Sequence, residues 1–236
     1  MEAIIQVLEF TIAARDSYTV GHQRRVSQIA CNIGGEMGLS KDRLRNLRMA
    51  GTLHDLGKIA IPSGLLSKAG NLNPLEFALI KTHPQVAYNI LKPITLPGNT
   101  AKIILQHHER MNGSGYPQGL KGEEILLEAR ILGVADVLEA MCSHRPYRTS
   151  LGLVETLDEL TGNKDILYDG AVVETCLKLY GKDLPAPLAV TIPPPPVSPG
   201  DGPQAHESFP QMRPWLQAKG GKTWNWAKLH TKGHYP

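Results

Sequence analysis

Apolar residues recur at helical spacing along most of this chain, and this periodicity limits the fold more than any other feature. Between Val26 and Met37 the apolar positions lie three or four residues apart, and Gly38 ends the run. Ser40 and Asn73 are candidate N-caps of later helices. No stretch alternates between apolar and polar residues for long enough to predict a β-strand. The sequence therefore predicts an all-α fold.

The same signals give approximate bounds for the later helices. Asn73 is followed by Pro74 and, two residues after that, by Glu76, which is the pattern of a capped helix start. Pro84 is expected to break that helix or to start a new one just after His83. Further helices are predicted over residues 99–109, 128–143, 151–160 and 171–179.

The composition changes near Pro185, where a proline-rich segment begins. All three tryptophans follow it, among glycine and lysine residues. Proline-rich segments of this kind are extended or disordered. We therefore expect a helical domain over residues 1–184 and a low-complexity tail over residues 185–236. A Trp-bearing segment that docks on a partner or on the helical domain is the alternative for the tail.

Charge, hydropathy and cysteine content exclude several classes of protein. Five basic and two acidic residues after residue 185 account for the net charge of +3, so the helical part is neutral and unlike a nucleic-acid-binding surface. No apolar run approaches the roughly 18 residues of a membrane span, and the N-terminus lacks the basic start of a secretion signal. Cys31, Cys142 and Cys176 favour free thiols in a reducing compartment, the cytoplasm.

Histidines and a carboxylate lie where predicted helices end. His54 and Asp55 end one helix, and His107 and His108 end another. At a helix end two neighbouring side chains can turn into one cleft, whereas in mid-helix they diverge by about 100°. Imidazole and carboxylate ligands suit divalent iron, manganese, zinc or nickel. These pairs are therefore candidate metal ligands.

Other polar residues are ambiguous when each is taken alone. Asp136 lies in the apolar run ILGVADVLEAM, where a buried carboxylate needs a metal or a strong partner. A single histidine such as His22 is more often structural than a ligand. Lys58 lies three residues after Asp55 and could hold a phosphate, although most lysines are simply solvated.

A series of motifs resembles the HD-GYP domain, a branch of the HD-domain metal-dependent phosphohydrolases. The resemblance covers about three quarters of the chain, with the order and spacing of the motifs intact. The motifs are ARDSYTVGHQRRV (14–26), HDLGKIAIP (54–62), KTHP (81–84), HHERMNGSGYPQGLKG (107–122) and ILGVADVLEAMCSHRPYR (131–148).

The resemblance implies an HD-domain helical bundle with the HD-GYP extension, which hydrolyses cyclic di-GMP to linear pGpG or GMP in bacterial signalling. It implies two divalent metal ions, iron or manganese, with Asp55 as the bridging ligand and Asp55 and Lys58 as catalytic residues. The implied metal ligands are His22, His54, Asp55, His83, His107, His108 and Asp136. The implied substrate contacts are Lys58, Tyr116, Arg145 and Arg148. Glu109 is expected to orient a ligand histidine.

Two positions depart from the family pattern. Members with three metals carry a glutamate where this chain has Tyr18, so we expect two metals, with Asp16 as a candidate helper. The loop that contains the GYP motif opens with Asn112-Gly113 instead of Asp-Gly. Asparagine tolerates the left-handed backbone of a turn, so this difference does not predict loss of activity.

Three functions stay open. The first is hydrolysis of cyclic di-GMP, and the second is hydrolysis of another cyclic dinucleotide or nucleotide, since a fold does not fix its substrate. The third is a non-catalytic signalling module that binds diguanylate cyclase (GGDEF) domains. No sensor is visible before the first motif, so we expect either a fragment of a longer protein or a partner of a separate sensor or receiver protein. A homodimer is a candidate assembly. Neither a nucleic acid polymer nor a membrane is expected.

Overall fold

The computed structural model describes residues 7, 8, 11, 17–68, 70–143 and 152–181. Asp16, Arg145, Arg148 and the proline-rich tail lie outside these residues, as does the side chain of Tyr18. The predictions made for them therefore stay predictions.

The described residues are mostly helical. Two short 3₁₀ helices cover Leu56–Ala60 and Gly122–Glu124. The α-helices are α1 (Ser17–Glu36), α2 (Lys41–Leu53), α3 (Ser63–Leu66), α4 (Pro74–Ile80), α5 (His83–Leu91), α6 (Thr100–Gln106), α7 (Leu127–Cys142), α8 (Leu153–Gly162) and α9 (Gly170–Tyr180). Within the described ranges the only β-type pairings are two isolated bridges. The all-α prediction is confirmed.

The predicted helix starts agree with the caps that form. Ser40 caps α2 by accepting a hydrogen bond from the backbone N–H of Arg43. Asn73 and Glu76 form a reciprocal capping box at the start of α4. Pro84 lies in the first turn of α5, so the break predicted there is confirmed.

One predicted helix is shorter than expected, and the difference shapes the site. The helix predicted over residues 99–109 is α6, which ends at Gln106. The backbone then turns, and the N–H of Glu109 bonds to the carbonyl of Gln106. Further on, the N–H of Met111 bonds to the carbonyl of Leu167. The last predicted turn of this helix is therefore absent, and the segment that follows it pairs with a distant part of the chain instead.

The bundle is centred on α7, whose residues are mostly buried. Helix α1 packs against both α2 and α7, and α6 packs against α2, α5 and α7. Close approach between α1 and α2 needs a glycine, since a Cβ on Gly51 would lie 2.6 Å from the Cα of Ser27. None of the described helices has the length and hydropathy to cross a membrane.

Candidate metal centre

Seven predicted ligand side chains meet inside the bundle, although they come from five helices or helix ends. All are buried except Asp136, which is partly exposed. They are His22 in α1, His54 and Asp55 at the end of α2, His83 at the start of α5, His107 and His108 at the end of α6, and Asp136 in α7.

The first ligand group consists of His22, His54 and Asp136. One candidate ligand atom from each lies within 4.8 Å of the other two. The Oδ1 atom of Asp136 is 3.3 Å from Nε2 of His22 and 3.9 Å from Nε2 of His54. These spacings allow a single cation to contact all three side chains.

The second ligand group consists of His83, His107 and His108. Their candidate ligand atoms also lie within 4.8 Å of one another, and all three residues are buried. The ring centroids of His107 and His108 are 4.0 Å apart, so the two neighbouring side chains do turn into one cleft at the end of α6.

Asp55 lies between the two groups. Its Oδ2 atom is 3.7 Å from Nε2 of His22 and 3.6 Å from Nε2 of His54, both in the first group. Its Oδ1 atom is 3.6 Å from Nε2 of His83 in the second group. Each oxygen of this carboxylate therefore faces a different ligand group, as a bridging ligand requires.

The 3₁₀ helix after Asp55 lies against α5 because residue 57 is glycine. A Cβ at Gly57 would be 1.9 Å from the carbonyl oxygen of His83, which is far inside van der Waals contact. This close approach sets the distance between Asp55 and His83.

Three ligand histidines are held in one tautomer by backbone carbonyls. The Nδ1 atoms of His54, His83 and His107 hydrogen-bond, at 2.8, 2.8 and 2.6 Å, to the carbonyls of Gly51, Ile80 and Ile104. Those carbonyls lie in the last turns of α2, α4 and α6, where they lack intrahelical partners. The Nε2 atoms of the same three histidines are buried and have no hydrogen-bond partner. Buried polar atoms without a partner are unfavourable, and a metal ion would satisfy them.

His22 meets a carboxylate that the sequence analysis did not single out. Its Nδ1 atom hydrogen-bonds to Oε2 of Glu139, whose side chain is completely buried. The other oxygen, Oε1, accepts hydrogen bonds from Nε of Arg25 and Oγ of Ser143, each at 2.6 Å. A signal was available, because Glu139 lies one helical turn after Asp136 in the same apolar run.

The carboxylates around His22 favour its protonated form as long as no metal is bound. Burial lowers the pKa of His22, but hydrogen bonds to Asp136 and Glu139 outweigh it and raise that pKa to about 9. Burial raises the pKa of Glu139, but His22, Ser143 and Arg25 bring it down to about 2. The pKa of Asp136 is likewise held well below its usual value: burial raises it, but His22 and neighbouring imidazoles prevail.

In the second group, burial keeps the imidazoles of His83 and His107 neutral at pH 7 by lowering the pKa of each. Burial lowers the pKa of His83 to about 4, even though Asp55 opposes the shift. Burial also holds the pKa of His107 well below its usual value. For Asp55, burial raises the pKa, but Lys58 and the surrounding imidazoles hold it well below normal. Neutral imidazoles beside an ionised carboxylate are the forms that bind a metal.

Lys58 and Tyr116 border the centre, as the sequence predicts. The Nζ atom of Lys58 donates to Oδ2 of Asp55 at 2.7 Å, and 28% of the Lys58 side chain is exposed. The ring of Tyr116 stacks on that of His108, with centroids 4.8 Å apart. The backbone N–H of Tyr116 also bonds to the carbonyl of His108. A Cβ at Gly115 would lie 2.4 Å from the backbone nitrogen of Arg110, so only glycine fits before Tyr116.

The contacts of Glu109 differ from the expected role. Its carboxylate accepts the backbone N–H groups of Gln118 and Leu120 at 2.6 and 3.0 Å, so it orders the GYP loop. In the turn that opens this loop, the left-handed backbone occurs at Gly113 (φ 80°). The Asn112 side chain stabilises the turn by accepting the N–H of Ser114.

The family model described as HD domain matches residues 6–172, which is more than half of the chain. This chain belongs to the HD domain family. The HD-GYP resemblance drawn from the motifs is confirmed by curated relatives that are named cyclic di-GMP phosphodiesterases.

Two curated relatives illustrate the range of activities. A cyclic di-GMP phosphodiesterase of Thermotoga maritima is 41% identical over 180 residues, which cover 75% of this chain and 48% of the relative. The 3'3'-cGAMP-specific phosphodiesterase 1 of Vibrio cholerae is 33% identical over 156 residues, which cover 66% of this chain and 36% of the relative. The chain therefore spans about half or less of the length of these relatives.

The fold also matches solved structures. An HDG"Y"P protein of Bdellovibrio bacteriovorus, Bd1817, superposes with a TM-score of 0.57 at 20% identity, covering 67% of this chain and 51% of that one. At this identity the match shows a shared HD-type helical fold.

Proposed function

We propose that this chain is a metal-dependent phosphodiesterase that hydrolyses cyclic di-GMP to linear pGpG or GMP. The observation that carries the proposal is the position of Asp55, with one carboxylate oxygen facing each group of histidines. Two ions joined by one carboxylate are typical of centres that cleave phosphate esters. The named activity of the Thermotoga maritima relative supports cyclic di-GMP as the substrate.

The proposed cofactor is a pair of divalent ions, iron or manganese. His22, His54 and Asp136 would hold one ion, and His83, His107 and His108 the other, with Asp55 binding both. When bound, such a pair supplies a water-derived nucleophile at neutral pH and neutralises charge on the phosphate. Imidazole-rich sites with carboxylates also bind zinc and nickel, so the identity of the metal is part of the proposal.

Side chains around the centre have proposed roles in binding the substrate. Lys58 would donate to a nonbridging phosphate oxygen, on which negative charge grows toward the transition state. Tyr116 is partly exposed, stacks on His108 and would contact the nucleotide. Arg145 and Arg148 would clamp the second phosphate, because a guanidinium binds phosphate through two parallel hydrogen bonds.

Hydrolysis of 3'3'-cGAMP is the second candidate, and the Vibrio cholerae relative favours it. The two substrates share both phosphates and differ in one base, so the metal centre would serve either. A module that only binds GGDEF domains is less well supported, because all seven ligand positions carry ligand residues. The same proposal includes GGDEF-domain or sensor proteins as partners, a homodimer and a cytoplasmic location. It also includes a division of the chain into a helical domain over residues 1–184 and a tail over residues 185–236.

Anaerobic purification followed by metal analysis and chromatography of reaction products tests the activity. We expect two metals per chain and turnover of cyclic di-GMP faster than of 3'3'-cGAMP. The Asp55→Asn variant keeps the size of the side chain but loses the charge, so we expect fewer bound metals and at least a hundredfold lower turnover. Full activity in this variant, or no hydrolysis by the iron- or manganese-loaded protein, would contradict the proposal.

A further inference from the structure

Glu139 lies behind the first ligand group, in a network that the proposed reaction does not use. Its side chain is fully buried, with Oε2 against Nδ1 of His22. Oε1 accepts from the guanidinium of Arg25 and the hydroxyl of Ser143. Burying a carboxylate is unfavourable unless its oxygens are well paired, and here both are.

The position of His22 explains why a carboxylate is needed. His54, His83 and His107 take backbone carbonyls in last helical turns as Nδ1 partners. His22 lies within α1, where backbone carbonyls already accept helical hydrogen bonds. Its partner comes instead from α7, 117 residues further along the chain.

We propose that Glu139 is a positioning residue that orients His22 with Nε2 toward the first ligand group and thereby sets the metal affinity of that group. This inference rests on the proposed metal centre and adds a residue that orients one of its ligands. A carboxylate behind a ligand imidazole fixes its tautomer and increases its basicity. The effect is confined to one of the two groups, because the Nδ1 atoms of His83 and His107 hydrogen-bond to backbone carbonyls.

The Glu139→Gln variant tests this inference through metal binding. The amide keeps the shape and loses the charge, so we expect the dissociation constant of one metal to rise about 10- to 100-fold, in the usual range for such partners. The second metal is expected to stay bound with the affinity of the unmodified protein. Both constants are measured anaerobically by competition with a chelator, and metal content after dialysis is expected to fall from two per chain to one.

Glu128→Gln is the matched control. Glu128 is also on α7 and also pairs with an arginine, Arg43, at 2.6 Å. It lies about 16 Å from Glu139 along the helix axis. We expect this variant to retain both metals. If Glu139→Gln does not fold, the double variant Arg25→Met/Glu139→Gln removes both members of the buried ion pair and is measured in the same way.

The outcomes separate the inference from the proposed function. Unchanged affinity for both metals in the Glu139→Gln variant would overturn the inference. Equal loss of both metals would also overturn it, because it would indicate a general structural defect. If the unmodified protein bound no metal, the proposed function itself would fail.

Discussion

The carboxylate of Asp55 has several partners at once. Its Oδ2 atom accepts a hydrogen bond from Lys58 and also faces His22 and His54. The side chain of Lys58 is still partly exposed, so its ammonium can turn toward a bound phosphate. At the scale of single residues, the charge of Lys58 is therefore available to the substrate, while the histidines are committed to the centre.

The Lys58→Met variant tests this division of roles. We expect turnover to fall about 100- to 1000-fold, as when one donor to a developing negative charge is removed. Both metals should remain, because their proposed ligands are intact. Turnover and metal content are measured on the same preparation.

The Lys68→Met variant is the control, because it also removes a lysine that pairs with a carboxylate. Lys68 also pairs with a carboxylate, Glu76, at 2.6 Å, and lies outside the centre. We expect it to keep normal turnover. Normal turnover in the Lys58 variant as well would show that Lys58 has no part in the reaction.

At the scale of helices, ends and close contacts decide the geometry of the site. Most of the ligands lie at or beside helix termini, where free carbonyls orient imidazoles. The 3₁₀ helix after Asp55 approaches α5 only because Gly57 has no side chain. The distance between two helices therefore sets the distance between Asp55 and His83.

The Gly57→Ala variant should disturb both stability and metal binding. Its methyl group would overlap the backbone carbonyl of His83, and overpacking of this kind destabilises a protein by about 1–3 kcal/mol. We expect a lower unfolding temperature and weaker metal binding. Both are measured by thermal unfolding with and without added manganese.

Gly64→Ala in α3 is the matched substitution. A Cβ there has no neighbour within 4 Å, so the methyl group fits without movement. We expect little change, or a slight gain since alanine has the higher helix propensity. Equal loss of stability in both variants would rule out the steric explanation.

At the scale of the whole molecule, the centre joins helices that are far apart in sequence. The ligands come from α1, α5, α7 and the ends of α2 and α6, whereas α8 and α9 contribute none. Without bound cations, three buried imidazole nitrogens have no partner. Metal binding should therefore stabilise one side of the bundle more than the other.

Metal removal tests this difference. After chelation we expect a lower unfolding temperature, because a ligand that binds only the folded state stabilises it. Amide hydrogen exchange should speed up in α1, α2, α5, α6 and α7, and much less in α8 and α9. If exchange rates changed equally in all helices, or did not change, the metal centre would not link only the helices that carry its proposed ligands. Re-addition of manganese should restore protection.

The sequence alone determined where most helices begin, because these positions depend on local signals, and its family resemblance named the candidate ligands. Caps, periodicity and proline positions act within a few residues, so α2, α4 and α5 begin where predicted. The resemblance of the motifs named seven candidate metal ligands, and the structure brings all seven together.

Only the tertiary structure decided the contacts between distant elements. The bond between His22 and Glu139 joins α1 to α7, and no local pattern records which carboxylate lies behind which imidazole. Glu109 illustrates the same point, since its partners are set by the path of the loop around it. The position of Asp55 between two ligand groups also depends on how α2, α5 and α7 pack. The choice of candidate ligands thus rests on sequence motifs, whereas the orientation and spacing of their side chains come from packing.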